Sequence, residues 1–419
     1  MKTIFDNQFT SRICLSIAIF IALSICFTSV CFAESAPEEQ WNKTFGGKSY
    51  DGVYSVQQTS DGGYILAVYT ESLGAGAADA WLIKTDSEGN KQWDKTFGGE
   101  SVDQAGSVQQ TSDGGYILAG FTYSFDAGLG DAWLIKTDSK GNKQWDKAFG
   151  GTKYDGARSV QQTSDGGYIM AGSTHSSGAG DTDAWLIKTD SEGNKQWDKT
   201  FGGTSFDGAY SVQLTSDRGY ILAGYTSSFN DLGDAWLIKT DSEGNKQWDK
   251  TFGGDSSKEA FSVQQTSDGG YILAGYTVNS SFSSGSAFLD GDWLIKTDSE
   301  GNKQWDKTFG GKSGDGARSV QQTSDGGYIM AGVTESFGAG AGDAWLIKTD
   351  SEGNKQWDKT FGGDSSKEAF SVQQTSDGGY ILAGYTVNSS FSSGSAFLDG
   401  DWLIKTDSEG NKQWDKTFG

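Results

Sequence analysis

The chain has 419 residues, with 55 acidic and 33 basic side chains and a formal net charge of −22 at pH 7. A uniformly acidic surface repels phosphate backbones and anionic lipid, which excludes nucleic acid as a partner class. The three cysteines, Cys14, Cys26 and Cys31, all lie near the amino terminus, so the rest of the chain has neither disulfides nor a thiol nucleophile.

The first 33 residues have the pattern of a secretory signal peptide. Lys2 and Arg12 form a weakly basic region, and an apolar run extends from Ile13 to about Val30 before a small-residue cleavage site. The pattern predicts cleavage after residue 33, a linker over 34–40, and an extracellular or cell-surface protein without a membrane span. An uncleaved membrane anchor is the alternative, because the run is just long enough to cross a bilayer.

Fifteen tryptophans mark a repeat of roughly 53 residues. Eight of them stand in W-[DN]-K-[TA]-F-G: Trp41, Trp93, Trp145, Trp197, Trp248, Trp305, Trp357 and Trp414. Seven stand in W-L-I-K-T-D: Trp81, Trp133, Trp185, Trp236, Trp293, Trp345 and Trp402. A fixed period of this size indicates a repeat architecture.

One repeat contains four β-prone segments, which in the first copy are residues 55–59, 64–70, 79–86 and 91–97. An S-D-G-G turn follows the first segment and an S-E-G-N hairpin follows the third. No window shows helical periodicity. Four antiparallel strands per repeat are typical of a propeller blade. A solenoid, the alternative, needs polar capping repeats, and the terminal copies here resemble the middle ones. We therefore predict an all-β, seven-bladed propeller over 41–419.

The fourth-strand sequence occurs eight times, whereas the other three strands occur seven times. We expect one terminal copy, Trp41–Phe45 or Trp414–Phe418, to complete the last blade and to close the ring by pairing the two ends of the chain. The other copy is then redundant. Residues 248–305 and 357–414 are identical, which indicates a recent duplication.

The string D-A-W-L-I-K-T-D-S-E-G-N-K-Q-W-D-K-T-F-G-G, with D-G-A-x-S-V and G-G-Y-I-L-A-G-Y-T, resembles the seven-bladed beta-propeller repeat family of bacterial and archaeal extracellular proteins. The resemblance covers about residues 41–419, implies the propeller fold and carries no catalytic residues. This sequence departs from the pattern with Trp at both aromatic positions of every copy. Gly291-Asp292 and Gly400-Asp401 also replace the Asp-Ala pair in two repeats.

The two faces of such a ring differ in variability. The S-D-G-G and S-E-G-N turns share one face and barely change between copies, whereas the loops between the second and third strands lie on the other face and vary. These loops are Glu71–Ala78, Tyr123–Gly130, His175–Thr182, Ser227–Gly233, Val278–Gly291, Glu335–Gly342 and Val387–Gly400. Because variable loops on a rigid scaffold commonly carry binding sites, we expect any ligand on this face.

Two repeated positions on the variable face are candidate sites. The residues that open the inner strand are Tyr54, Gly106, Arg158, Tyr210, Phe261, Arg318 and Phe370, and their aromatic and guanidinium groups suit a sugar ring or an acidic group. Packing between blades is the alternative. An acidic position holds Asp51, Asp103, Asp155, Asp207 and Asp315, which either coordinate Ca²⁺ or cap turns. Lys258 and Lys367 replace this Asp in two repeats, which excludes a ring of seven metals.

The sequence has no catalytic motif. Its single histidine, His175, lies in one loop, so neither a histidine-rich metal site nor a repeated triad can form. We therefore predict a non-enzymatic, monomeric binding scaffold without a required cofactor, whose partner is an extracellular glycan or protein. A polysaccharide hydrolase or lyase that uses channel carboxylates, and a purely structural envelope protein, are the alternatives.

Overall fold

A computed structural model describes residues 49–125, 128–229, 233–254, 256–279, 288–339, 342–363, 365–388 and 397–418. These residues form seven antiparallel sheets of four strands each, and no described helix is long and apolar enough to cross a membrane. The predicted signal peptide, the linker and the first fourth-strand copy (Trp41–Phe45) lie outside the described residues.

Each sheet is one blade made of four consecutive strands. Blade 1 contains β1 (Asp51–Gln58), β2 (Tyr64–Thr70), β3 (Asp79–Thr85) and β4 (Lys91–Phe97). Blade 2 contains β5 (Asp103–Gln110), β6 (Tyr116–Thr122), β7 (Asp131–Thr137) and β8 (Lys143–Phe149). Blade 3 contains β9 (Asp155–Gln162), β10 (Tyr168–Thr174), β11 (Asp183–Thr189) and β12 (Lys195–Phe201). Blade 4 contains β13 (Asp207–Leu214), β14 (Tyr220–Thr226), β15 (Asp234–Thr240) and β16 (Lys246–Phe252).

The remaining three blades follow the same order. Blade 5 contains β17 (Ser257–Gln265), β18 (Tyr271–Asn279), β19 (Phe288–Thr297) and β20 (Lys303–Phe309). Blade 6 contains β21 (Asp315–Gln322), β22 (Tyr328–Thr334), β23 (Asp343–Thr349) and β24 (Lys355–Phe361). Blade 7 contains β25 (Ser366–Gln374), β26 (Tyr380–Asn388), β27 (Phe397–Thr406) and β28 (Lys412–Phe418). The predicted all-β, seven-bladed fold is confirmed.

The two turn sequences form as predicted because their glycines adopt left-handed backbone angles. Gly62 has φ 85° in the S-D-G-G turn and Gly89 has φ 75° in the S-E-G-N hairpin. Blade 4 replaces the first of these glycines with Arg218, which keeps φ at 71°. The turn geometry is thus retained even where a side chain makes it unfavourable.

An ion pair fastens each tight turn to the third strand. In blade 1, Lys84 is 3% exposed, and its Nζ lies 3.0 Å from Asp61 Oδ2 and 2.7 Å from the Thr85 carbonyl oxygen. The same lysine–aspartate pair occurs in all seven blades at 2.8 to 3.0 Å. The lysine of W-L-I-K-T-D therefore has a structural role in every repeat.

The hydrophobic core lies between blades rather than within them. Ile65 and Leu82 of blade 1 pack against Val108, Leu118 and Trp133 of blade 2. Equivalent clusters join each later pair of blades, and a last cluster joins blade 7 to blade 1. A single blade buries little by itself, so the ring must close to complete its cores.

A belt of side chain-to-backbone hydrogen bonds joins the inner strands. Each inner strand pairs with only one neighbour, which leaves a row of N–H groups on its other edge. The preceding blade supplies acceptors: Val108 N donates to Ser55 Oγ (3.4 Å), and Gln110 N donates to Gln57 Oε1 (2.6 Å). Both bonds recur at all seven junctions.

The belt also closes the ring. Val56 N donates to Ser371 Oγ (3.2 Å), and Gln58 N donates to Gln373 Oε1 (2.6 Å), across 315 residues of chain. β28, the carboxy-terminal copy of the fourth strand, completes blade 7 by pairing with β27. This confirms that one terminal copy of the fourth strand completes the last blade. Pairing between the two ends of the chain stays a prediction, because Trp41–Phe45 lies outside the described residues. Among the described residues, side-chain hydrogen bonds and packing join blade 7 to blade 1.

Candidate functional site

A β-bulge recurs at one position of every inner strand. In β1 the pairing with β2 shifts between Val53 and Ser55, so Tyr54 has no partner on the neighbouring strand. The equivalent unpaired residues are Gly106, Arg158, Tyr210, Phe261, Arg318 and Phe370. A bulge redirects the side chain of its extra residue. The sequence-predicted ring positions are thus the seven bulged residues.

These seven residues surround one cavity of about 370 Å³, which we call the channel mouth. Gln104, Glu259 and Tyr276 complete its lining. The inner strands start on the variable-loop face and end at the S-D-G-G turns, so the mouth lies in the half of the channel nearer the variable loops. The structure therefore brings all the predicted binding residues together.

The opposite end of the channel is lined differently. Its cavity of about 230 Å³ is surrounded by Ser, Val and Gln residues of the seven inner strands, including Ser107, Val56 and Gln57. We call this the Ser/Gln end. Because its serines and glutamines already accept backbone hydrogen bonds, it offers fewer free groups to a ligand.

Aromatic rings of the channel mouth stack across blade boundaries. The Tyr210 and Phe261 ring centroids are 4.5 Å apart with an interplanar angle of 12°, and Phe261 stacks on Tyr276 at 4.8 Å. Tyr54 contacts Phe370 edge to face at 5.5 Å. These contacts agree with the packing interpretation, and the same rings also form the cavity wall. Packing holds the rings in fixed orientations, which favours binding of a rigid ligand.

The two arginines of the mouth have different surroundings. The Arg318 guanidinium carbon lies 4.7 Å from the Phe261 ring centroid, 5.1 Å from that of Tyr276 and 5.2 Å from that of Phe370. Its Nε is buried without a hydrogen-bond partner. Arg158 is exposed. Arg318 is therefore held by aromatic faces, whereas the Arg158 guanidinium is accessible to a ligand.

Two glutamates near the mouth were not predicted from the sequence. Tyr210 Oη donates to Glu259 Oε2 (3.0 Å), and Tyr385 Oη donates to Glu368 Oε2 (3.4 Å). Burial raises the pKa of both glutamates, and nearby Arg318 partly offsets this. The sequence does mark these two positions as different from their equivalents. Glu occurs there in S-K-E-A-F of blades 5 and 7, whereas the other five blades have Gly or Gln.

The predicted metal-binding aspartates are separated, one per blade, and buried in turns. Asp103 Oδ2 accepts from Gly99 N (2.8 Å) and Ser124 Oγ (2.6 Å), and Oδ1 accepts from Thr122 Oγ1. Asp315 accepts the same three bonds, and Asp51, Asp155 and Asp207 accept some of them. Among the described residues, Oδ1 of Asp51 and of Asp207 is buried without a hydrogen-bond partner. In the described part of the chain, no three His, Cys, Asp or Glu side chains are grouped to hold a metal ion. The geometry is that of a turn cap.

Exposed large apolar side chains gather on the variable-loop face. Within the described residues they are Leu73, Tyr123, Phe125, Leu129, Phe206, Phe229 and Phe337. All lie in loops between second and third strands or in connections between blades. His175 lies on the same face, with its ring 5.8 Å from that of Tyr154. This face therefore combines the channel mouth with scattered apolar contacts.

Comparisons with known proteins find similar structures but no related sequence. No family model matches the chain, and no curated protein matches it. Among solved structures, an ancestral GH74 enzyme shares 13% identity and a TM-score of 0.52, covering 91% of this chain and 48% of that one. The Pan2 WD40 domain of Neurospora crassa shares 11% identity and a TM-score of 0.49, covering 81% and 94% of the two chains.

A further similar structure is the β-propeller domain of the trilobed protease from Pyrococcus furiosus, described as having an open velcro topology. It shares 11% identity and a TM-score of 0.46, covering 87% of this chain and 97% of that one. Identities this low bear on the fold alone. The resemblance to the bacterial and archaeal repeat family stays a prediction. The chain is a seven-bladed β-propeller assembled from repeated blades.

Proposed function

We propose that this protein is a non-enzymatic, extracellular binding scaffold whose channel mouth binds a saccharide that carries an acidic group. The observation that carries the proposal is the convergence on one cavity of seven bulged residues of four types: Tyr, Gly, Arg and Phe. Its volume of about 370 Å³ falls within the range of small-molecule sites. Elsewhere the blades are nearly identical, so the mouth is where this ring gains asymmetry.

The charged side chains of the mouth favour an acidic ligand. The chain has four arginines, Arg12, Arg158, Arg218 and Arg318, and two of them line this cavity. Guanidinium groups bind carboxylates in a bidentate manner, which lysine cannot do. Exposed Arg158 would hold the acidic group, and the rings of Tyr54 and Tyr210 would contact the sugar face. The apolar side chains on the same face would extend the contact to a larger glycan or glycoprotein.

A binding assay on the secreted protein tests this proposal. We expect oligosaccharides containing uronic acids to bind, and Arg158→Gln to weaken that binding at least about tenfold, equivalent to about 1.4 kcal/mol. Arg218→Gln is the matched control, because Arg218 lies in a tight turn on the opposite face. If acidic and neutral saccharides both fail to bind, or if the two variants lose affinity equally, the channel mouth is not the site.

A second candidate function rests on Glu259. This glutamate lines the mouth, is largely buried and has a raised pKa, which suits a general acid in glycoside hydrolysis. The candidate predicts release of reducing ends from an acidic polysaccharide and its loss in Glu259→Gln. Binding without any release, in protein whose fold is intact, would leave only the scaffold role.

A further inference from the structure

Blade 5 lacks a tryptophan hydrogen bond that five other blades form. In those blades the third-strand tryptophan donates from Nε1 to an aspartate of the fourth strand, at 3.0 to 3.2 Å; the donors are Trp81, Trp133, Trp185, Trp236 and Trp345. In blade 5, Trp293 is 2% exposed, and its Nε1 has no hydrogen-bond partner among the residues that the structure describes. A buried indole N–H without an acceptor is unfavourable.

The Trp293 indole has turned toward the second strand. A Cβ added to Gly275 would lie 2.5 Å from Trp293 Cζ2, so the ring lies directly over this glycine. Trp402 lies over Gly384 in the same way in blade 7, whose sequence is identical here, and its Nε1 also lacks a partner. Because the arrangement recurs with the sequence, the local residues determine it.

A cavity lies where blade 5 has lost this bond. It measures about 340 Å³, lies between β16 of blade 4 and blade 5, and is called here the blade 4–5 cavity; its lining includes Phe252, Lys258, Trp293, Ile295 and Asp306. The Asp306 side chain is 55% exposed, compared with 26% for its equivalent Asp249 in blade 4. Asp306 therefore lacks the indole bond and is more exposed than Asp249, but it keeps an ion pair with Lys303 at 2.9 Å.

Lys258 adds a positive charge to the blade 4–5 cavity. It replaces the turn-capping aspartate of five other blades and is only partly exposed. Its Nζ lies 3.2 Å from Thr277 Oγ1, and in the described part of the chain no carboxylate forms a salt bridge with it. Burial lowers the pKa of Lys258, and so does the charge of nearby Lys303, while Asp306 and Asp234 partly offset this. An ammonium group in this position is stabilised by an anion.

We propose that the blade 4–5 cavity binds a small organic carboxylate, whose oxygens accept hydrogen bonds from Trp293 Nε1 and Lys258 Nζ. Phe252 and Ile295 form an apolar wall that suits a short hydrocarbon portion. The lining also holds Lys303 and Asp306, which form an ion pair at 2.9 Å, so Lys258 carries the one lining charge outside that pair. A single negative charge on the ligand matches this ammonium and the neutral indole donor, whereas a phosphate dianion carries more charge than they balance. The site is independent of the channel mouth and of the function proposed for it.

Indole N–H resonances of ¹⁵N-labelled secreted protein provide the test, with propionate as the probe and propionamide as its uncharged counterpart. Trp293→Phe identifies the resonance. We expect propionate to shift it with saturation at roughly 1 mM or below, and propionamide to leave it in place. Lys258→Met should weaken the response at least about tenfold, and Lys258→Arg should retain it, which shows that the blade still folds.

Lys367→Met is the matched control, since Lys367 occupies the same position in the identical sequence of blade 7. This variant should leave the Trp293 response unchanged. The proposal is overturned if propionamide acts like propionate, if Lys258→Met responds like the unmodified protein, or if the shift does not saturate.

Discussion

The two ends of the central channel are built from the same seven strands but differ in how much their residues vary from blade to blade. At the Ser/Gln end every blade contributes the same residue types, and the same two hydrogen bonds recur at all seven junctions. At the channel mouth the bulged position holds Tyr, Gly, Arg or Phe. A bulged residue leaves the strand ladder, so its side chain can change without disturbing strand pairing. The ring is therefore maintained at one end and diversified at the other.

Acid should affect the Ser/Gln end most, because seven turn aspartates act together. Partial burial opposes their ionisation, but hydrogen bonds from the turn threonine and the buried lysine lower the pKa of Asp61 and its six equivalents to about 2. In the unfolded chain the value is about 3.9. The stabilisation is complete above about pH 4 and is lost as pH falls toward 2.

Thermal unfolding between pH 2 and pH 7 checks this expectation. The melting temperature should change little from pH 7 to about pH 4 and fall steeply below it. Replacing one of the paired third-strand lysines, Lys188→Met, should make the fall of melting temperature in acid slightly less steep. A steady decline that begins near pH 7 would assign acid sensitivity to other groups.

At the channel mouth, Phe261→Ala removes a ring that stacks on Tyr210 and Tyr276 and lies under Arg318. We expect a loss of about 2 kcal/mol of unfolding free energy, because the ring is only partly buried, together with loss of ligand binding. Denaturant unfolding and a binding assay measure the two effects. Phe261→Tyr is the matched control, since blades 1 and 4 have Tyr at this position; it should preserve both properties.

At the Ser/Gln end, Gln373→Leu removes the acceptor of Gln58 N where blade 7 meets blade 1. The orphaned N–H should cost about 1–2 kcal/mol. Gln109→Leu removes the same bond between blades 2 and 3, which remain covalently connected. Amide hydrogen exchange should show greater opening at Gln58 in the first variant than at Gln162 in the second. Equal exchange rates at Gln58 and Gln162 would mean that a covalent connection between two blades does not affect how easily their junction opens.

The smallest change in stability should come from adding one hydrogen bond that a single junction between blades lacks. At six junctions a serine N–H of the tight turn donates to a glutamine of the next blade. At the seventh, Leu214 stands in the acceptor position opposite Ser164. Leu214→Gln should add this bond but remove the contact of Leu214 with the core between blades 3 and 4. The unfolding free energy should therefore change by less than about 1 kcal/mol, and ligand affinity should stay unchanged. An altered affinity would show that the two channel ends are coupled.

Much of the fold could be predicted from the sequence, because its determinants are local. The β-branched and aromatic residues of Tyr64–Thr70 and the glycines of the S-D-G-G and S-E-G-N turns specify strands and hairpins within a few residues. The candidate ring from Tyr54 to Phe370 was recognised by its variation among otherwise constant repeats. Its binding role stays a prediction, as do secretion and the absence of catalysis.

Other features depend on contacts between distant parts of the chain. The hydrogen bond between Gln58 and Gln373 joins residues 315 positions apart where blade 7 meets blade 1. No local sequence pattern predicts this contact. The bulge that turns Tyr54 into the channel results from pairing with β2. The place of Glu259 beside Tyr210 and the turned indole of Trp293 depend on packing between neighbouring strands and blades. Local sequence therefore determined the strands and turns, while the closed ring decided which side chains meet.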